Sequence, residues 1–189
     1  MTRCLIVGGA DCVFDDVEAA LSLSEFEDVI VVKRMLPVWR GPVTAFASLH
    51  PDTVANAVRA RDRAGLPMGF DIYTNKRPQG ARALDIKVIP DLRGSSGLFA
   101  VAAALQYPRI DRIVLCGVPI DSRPHFDRSK NWDHFLHYRQ GWTQNIGMLK
   151  QRVRSMSGWT STLLGKPTEQ WLSEASDQSG LAARAQGAT

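Results

Sequence analysis

The sequence predicts an α/β domain: a mainly parallel, doubly wound sheet of five or six strands with a helical C-terminal appendage. Three observations predict it. Short apolar runs without polar alternation, residues 3–7 and 112–118 above all, read as strands buried on both faces. Segments of helical spacing lie between such runs, so strand and helix signals alternate. Glycine-rich turns follow two of the runs, at Gly8-Gly9-Ala10-Asp11 and Arg93-Gly94-Ser95-Ser96-Gly97, where a parallel sheet places its ligand-binding loops.

In chain order, residues 3–7 form the first strand. A helix over residues 13–23 follows, with Val13, Val17, Ala20 and Leu21 on its apolar side and Asp15, Asp16 and Glu18 in its first turns. Residues 29–32 make the second strand, and a loop over 34–42 contains Pro37, Trp39, Gly41 and Pro42. The third strand, 43–49, is closed by His50-Pro51, and a helix runs from there to Ala64, with Gly65 as its stop. Residues 68–73 are the fourth strand, 74–82 a basic loop, and 84–89 the fifth strand. The turn at Gly94 opens a helix of small residues that feeds the strand at 112–118. The core thus ends at Asp121. Residues 122–172 are basic and aromatic and form the appendage, and 173–189 are small and polar, a tail expected to be disordered.

With 189 residues, the chain accommodates one such domain. Hydrophobic content of 44% and charged content of 22% are ordinary for a globular fold. No stretch approaches the roughly 18 apolar residues of a membrane span. The apolar run at the start is too short for a signal peptide and continues into a glycine turn. Cys4, Cys12 and Cys116 lack CxxC spacing, and two of them fall in core strands. Neither a disulfide framework nor a zinc site is expected, and a reducing cytoplasm is the expected location. A formal charge of +4 inclines the chain towards phosphate-bearing partners.

The first turn sits where a dinucleotide fold places its phosphate loop, but Gly-x-Gly-x-x-Gly is not met: Val13 stands in the third glycine's place and Gly9 falls one residue early. Lys33-Arg34 follows the second strand in place of the acidic residue that grips a ribose, so an NADP-type reading sets these cations on a 2′-phosphate. A plain strand-to-helix turn is the alternative. In the second turn, two glycines let backbone approach a ligand, and two hydroxyls with the helix amides hold an anion. Ser95 or Ser96 also reads as a helix cap. Phosphate binding is therefore expected at Gly8, Gly9, Ala10, Asp11, Arg93, Gly94, Ser95, Ser96 and Gly97.

Past the last strand come Asp121, Arg123 and His125. His125 suits a general base, with Asp121 as its partner; a simple surface hydrogen bond is the alternative. His50, Lys76, Arg77, Arg82 and Arg123 are candidate substrate contacts. His134 and His137 would share a helix face, but no third ligand completes a zinc set, so no metal is expected. The basic aromatic segment reads either as a single-stranded nucleic-acid surface or as a helix whose Trp132, Phe135, Leu136, Trp142 and Met148 cover the sheet. The second reading is favoured, because aromatic rings are usually placed by burial. Cys12 precedes a helix whose dipole could lower its pKa, but nothing beside it completes a Cys-His pair, so it is read as incidental.

Laid out this way, the chain resembles the Rossmann-type bacterial sialyltransferases and the related motility-accessory-factor and 6-hydroxymethylpterin diphosphokinase-like proteins. Leu5-Ile6-Val7-Gly8-Gly9-Ala10-Asp11 is similar to their opening strand and Gly-x-Gly-Pro-Ser-Leu loop, without the Pro-Ser-Leu part. Residues 94–105 and 111–121 resemble their Ser/Thr-Gly turn, alanine-rich helix and strand ending in Gly-x-Asp; the ending here is Gly117-Val118-Pro119-Ile120-Asp121. The chain is also similar to small bacteriophage proteins. The resemblance implies a Rossmann-like fold whose two turns hold the nucleotide of an activated sugar donor, with His125 as base. The implied function is a glycosyltransferase-like transfer from a nucleotide-activated donor to a hydroxyl, without a tightly bound cofactor. The partner would be a nucleotide or nucleotide-sugar, and the basic loop admits a polyanionic or nucleic-acid acceptor. The alternatives are an ATP-dependent pyrophosphokinase on the same fold, needing Mg2+, and a non-catalytic nucleic-acid-binding or virion-associated protein. In the last of these, Arg139, Lys150, Arg152 and Arg154 would carry the binding.

Overall fold

The apolar run Thr2–Val7 forms β1 and Ile110–Cys116 forms β6, paired in parallel through Leu5↔Val114 and Val7↔Cys116. Side chains of a strand alternate between faces. Leu5 and Val7 therefore enter one hydrophobic layer while Cys4 and Ile6 enter the other, and all four are fully buried. The computed structural model describes residues 1–78, 84–128 and 132–174. Within them, β2 (Asp28–Val32), β3 (Ala45–Ser48), β4 (Asp71–Thr74), β5 (Ile86–Val88) and β7 (Val153–Ser155) complete a sheet of order β5-β4-β3-β2-β1-β6-β7. Every ladder in it is parallel. This is the expected Rossmann-like α/β architecture.

Helices α1 (Val13–Leu23) and α2 (Pro51–Arg63) cover the layer of Leu5 and Val7. On the opposite layer lies α3 (Ser96–Ala104), buried along its whole length. It shares that layer with Trp142 of α4 (Phe135–Gln144), Leu149 of α5 (Ile146–Leu149) and Leu164 of α6 (Gly158–Leu164). Leu172 of α7 (Glu169–Ser173) returns to the first layer. Small side chains let α3 lie close across β3, β2, β1 and β6 on its way from β5 back to β6. The chain leaves β1 for β2 on one side and returns to β6 on the other. The carboxyl end of β1 is thus the topological switch point, where an open α/β sheet leaves a crevice.

The sheet holds one strand more than expected. Val153–Ser155 lies inside the segment read as helical, and it pairs with β6 through Ile113↔Val153 and Leu115↔Ser155. Three residues with Arg154 at their centre are too short for an alternation pattern to register. The tertiary edge offered by β6 supplies the structure instead. Residues 175–189, most of the tail, lie outside the described residues, as do Arg82 and Lys130. Among the described residues, no helix is long and apolar enough to cross a membrane. All three cysteines are free and buried.

Candidate functional site

A cavity of about 630 Å³ opens at the carboxyl ends of β1, β2, β3 and β6, around the switch point. The strands deliver Gly8-Gly9-Ala10, Lys33, His50 and Gly117-Val118 to its walls. Ser96 and Gly97 come from the start of α3, and Arg123 and His125 from the loop after β6. Of the residues expected to bind, Gly8, Gly9, Ala10, Ser96, Gly97, His50, Arg123 and His125 are brought together here.

The first turn reaches this wall with most of its backbone donors engaged. The amide of Gly8 donates to the Cys116 carbonyl (2.7 Å), that of Ala10 to Gly117 (3.1 Å) and that of Asp11 to Pro124 (3.0 Å). In return, the Gly9 carbonyl accepts from the Phe126 amide at 3.0 Å. The turn is clasped by the loop after β6, and Gly8 is required by that closeness: a Cβ there would overlap the Gly117 carbonyl and Val118. Asp16, buried on α1, locks the other side by accepting from the Gly117 amide (2.8 Å) and the Ser157 hydroxyl (2.7 Å). A Rossmann phosphate loop offers free amides. Here the amides of Gly8, Ala10 and Asp11 have acceptors within the protein and are not free for phosphate, whereas the Gly9 amide has no acceptor among the described residues.

The second turn is the reverse case. Ser95 is the N-cap of α3; its hydroxyl accepts from the Leu98 amide (3.4 Å) and from Trp142 Nε1 (3.2 Å). Ser95 therefore caps and braces, and it lies behind the cavity wall. Asn145 Nδ2 donates to the Leu92 carbonyl, and Gly141 lets α4 approach so closely that a Cβ would overlap the Arg93 carbonyl. Ahead of this brace, the amides of Ser96 and Gly97 have no acceptor among the described residues, and both residues line the cavity. Open first-turn amides at the positive end of a nine-residue helix attract an anion. Gly94 is buried against Leu98, and Arg93 is exposed with its backbone in the left-handed region (φ 56°); neither lines the cavity.

His125 is anchored by its Nδ1, 3.1 Å from the Gly9 carbonyl. A carbonyl only accepts, so Nδ1 carries the hydrogen and Nε2 of the neutral ring is left with its lone pair, the arrangement a base needs. Asp121 does not serve as its partner. That carboxylate accepts from the Arg123 amide (3.1 Å) and pairs with Arg123 Nε (3.3 Å), so the local Asx-type turn takes the group that sequence proximity offered to His125. His50 stands at the N-cap position of α2 without a side-chain capping bond, and burial together with the Lys33 cation holds its pKa below the usual histidine value.

Lys33 and Arg34, which the sequence placed only in the NADP-type reading, both line the wall. Lys33 follows β2 directly, with its backbone in the left-handed region (φ 47°), and burial with Arg34 beside it lowers its pKa to about 8. Its signal was a cation at the carboxyl end of a strand next to the switch point. Arg34 ties this rim to the loop after β6 through Asp127, at 2.8 Å. Among the described residues, the wall holds three cations and no carboxylate. Lys76 and Arg77 are exposed on the loop after β4, at the same edge but off the wall, and Arg82 lies outside the described residues. Asp11 is off the wall as well.

Three of the four C-terminal cations are committed within the protein, and Lys150 is exposed. Arg139 donates to the Ile120 carbonyl and lies over the Phe135 and Trp159 rings. Arg152 donates to the Ile110 carbonyl, and Arg154 donates to Lys150 and covers Trp171. The covering helix holds in part: Trp142 is fully buried and Trp132 and Phe135 pack on the core, whereas Leu136 and Met148 are exposed. His134 and His137 are exposed too, and no metal-binding cluster is found among the described residues. Cys12 reverses its expectation: burial pushes its pKa up to about 11, with its thiol against Asp16 and Ser157. Set against protein-family models, curated proteins and solved structures, the chain matches none of them.

Proposed function

We propose that the protein is a nucleotide-binding transferase, glycosyltransferase-like in moving a group from a nucleotide-activated donor to a hydroxyl acceptor. The observation that carries the reading is one cavity in which the open amides of Ser96 and Gly97, the Lys33 cation and the oriented ring of His125 meet. The donor's phosphate lies at the start of α3, where amide dipoles and cations stabilise negative charge without reorganising. His125 Nε2 takes the acceptor's proton as its oxygen bonds to the transferred carbon. The bond from that carbon to the phosphate oxygen breaks, and the nucleotide leaves with the electron pair. The resemblance to the sialyltransferases supports the same division of roles between turn and histidine.

A thermal-shift panel tests this directly. Pyrimidine nucleotides at about 100 times their dissociation constant should stabilise the protein by roughly 2.7 kcal/mol. Stabilisation by Mg·ATP alone would move the assignment to a pyrophosphokinase. Stabilisation by no nucleotide would overturn it, and salt-sensitive DNA binding in that case would favour the nucleic-acid reading.

A further inference from the structure

Four of the five tryptophans are tied to protein partners. Trp39 donates through Nε1 to the Pro42 carbonyl, and Trp142 is buried with its Nε1 on Ser95. Trp159 lies under Arg139, and Trp171 between Arg112 and Arg154. Trp132 differs. It borders the cavity, and its ring is stacked on Tyr138 with centroids 5.4 Å apart and planes 22° from parallel. Tyr138 is held in turn by the edge of His137 (5.8 Å, 69°), and the His125 ring stands 6.5 Å from the indole. One face of the indole is thus covered and its plane fixed, next to the histidine that completes the cavity.

We propose that Trp132 is the platform for the ligand's nucleobase, which extends the Tyr138–Trp132 stack into the cavity. The inference rests on the nucleotide reading and deepens it by naming what holds the base. A nucleobase has a π face of the kind that stacks on indole. Val32, Pro37, Val118 and Pro124 give the rest of the wall an apolar character suited to a planar ring. The anion end at Ser96 and the ring at Trp132 therefore divide a nucleotide between them.

The test compares ribose 5-phosphate with UMP, CMP and AMP by titration calorimetry on the full chain. In the wild type the nucleotides bind about tenfold or more tightly than ribose 5-phosphate, the increment that base stacking supplies. Trp132→Ala brings the nucleotides down to the affinity of ribose 5-phosphate and leaves that affinity unchanged. Equal wild-type affinity for the two kinds of probe overturns the platform while leaving the anion site standing. Equal loss of both in Trp132→Ala also overturns it, since the ring would then be structural. Failure of every probe to bind the wild type overturns the nucleotide reading and the platform with it. Should Trp132→Ala not fold, Trp132→Phe replaces it: nucleotide quenches the wild-type fluorescence and leaves that of Trp132→Phe unchanged, and equal quenching in both overturns the proposal.

Discussion

At the first glycine turn, the amides of Gly8, Ala10 and Asp11 donate to carbonyls at the end of β6 and in the loop after it, and only that of Gly9 is open; at the second, those of Ser96 and Gly97 both find no acceptor among the described residues. Both turns follow strands of one sheet, both open helices, and both press a glycine against the same side chain. A Cβ on Gly8 or on Gly97 would overlap Val118. What separates them is the direction from which each is supported. The first is clasped across its donors by the 117–126 loop, whereas the second is braced from behind by Trp142 and Asn145, which leaves its donors facing the cavity. Glycine marks where backbone must come close to something; the hydrogen-bond partners decide whether that something is protein or ligand.

The sharpest way to break this comparison is Ser96→Asp. It sets a negative charge in the anion site and should weaken nucleotide binding by about 100-fold. Its melting temperature is measured alongside, because burial of the carboxylate opposes the gain an acidic residue makes with the helix dipole. Gly8→Ala should act on the fold instead, costing about 3 kcal/mol of stability through overlap with the Gly117 carbonyl. Gly9→Ala meets only His125 Nδ1, at 3.6 Å, and should stay within about 0.5 kcal/mol of wild type in a denaturant titration. Ser95→Ala comes next: it leaves the Leu98 amide and the Trp142 indole without their acceptor, and about 1–2 kcal/mol should be lost.

Lys33 gives the comparison a pH axis. Its pKa of about 8 means that it is charged at pH 7 and loses its proton as pH rises through about 8. Nucleotide affinity should therefore fall between pH 7 and 9, and Lys33→Met should bind about tenfold more weakly at pH 7 with that decline flattened. Without ligand the sign reverses. The folded state binds fewer protons at Lys33 than the unfolded state between about pH 8 and the ordinary value of 10.5, so the contribution of Lys33 to stability rises with pH there. The smallest effect belongs to Asp121→Asn, which loses a half-exposed pair with Arg123 and should cost under about 0.5 kcal/mol, with nucleotide affinity unchanged.

The sequence made the fold legible wherever a local pattern determines an element. The helix read over residues 13–23 and the strands at β1 and β6 reappear within two residues, because helical spacing and unbroken apolar runs are properties of the chain itself. The strand β7 was illegible: the three residues Val153-Arg154-Ser155 acquire strand geometry only from the edge of β6. The site divides in the same manner. That Ser96, Gly97, His50 and His125 converge follows from their places at strand ends and was readable. The engagement of the Gly8, Ala10 and Asp11 amides was not, since it depends on carbonyls more than a hundred residues away. Asp121 was misassigned because Arg123, two residues on, competes for the carboxylate more closely than His125, four residues on.

The central claim is that the second turn, and not the first, holds the ligand's phosphate. Calorimetric titration of a pyrimidine nucleotide into the wild type, Ser96→Asp and Gly9→Ala tests it most directly. Binding that survives in Gly9→Ala and is lost in a folded Ser96→Asp is the predicted result; unchanged affinity in Ser96→Asp would contradict it.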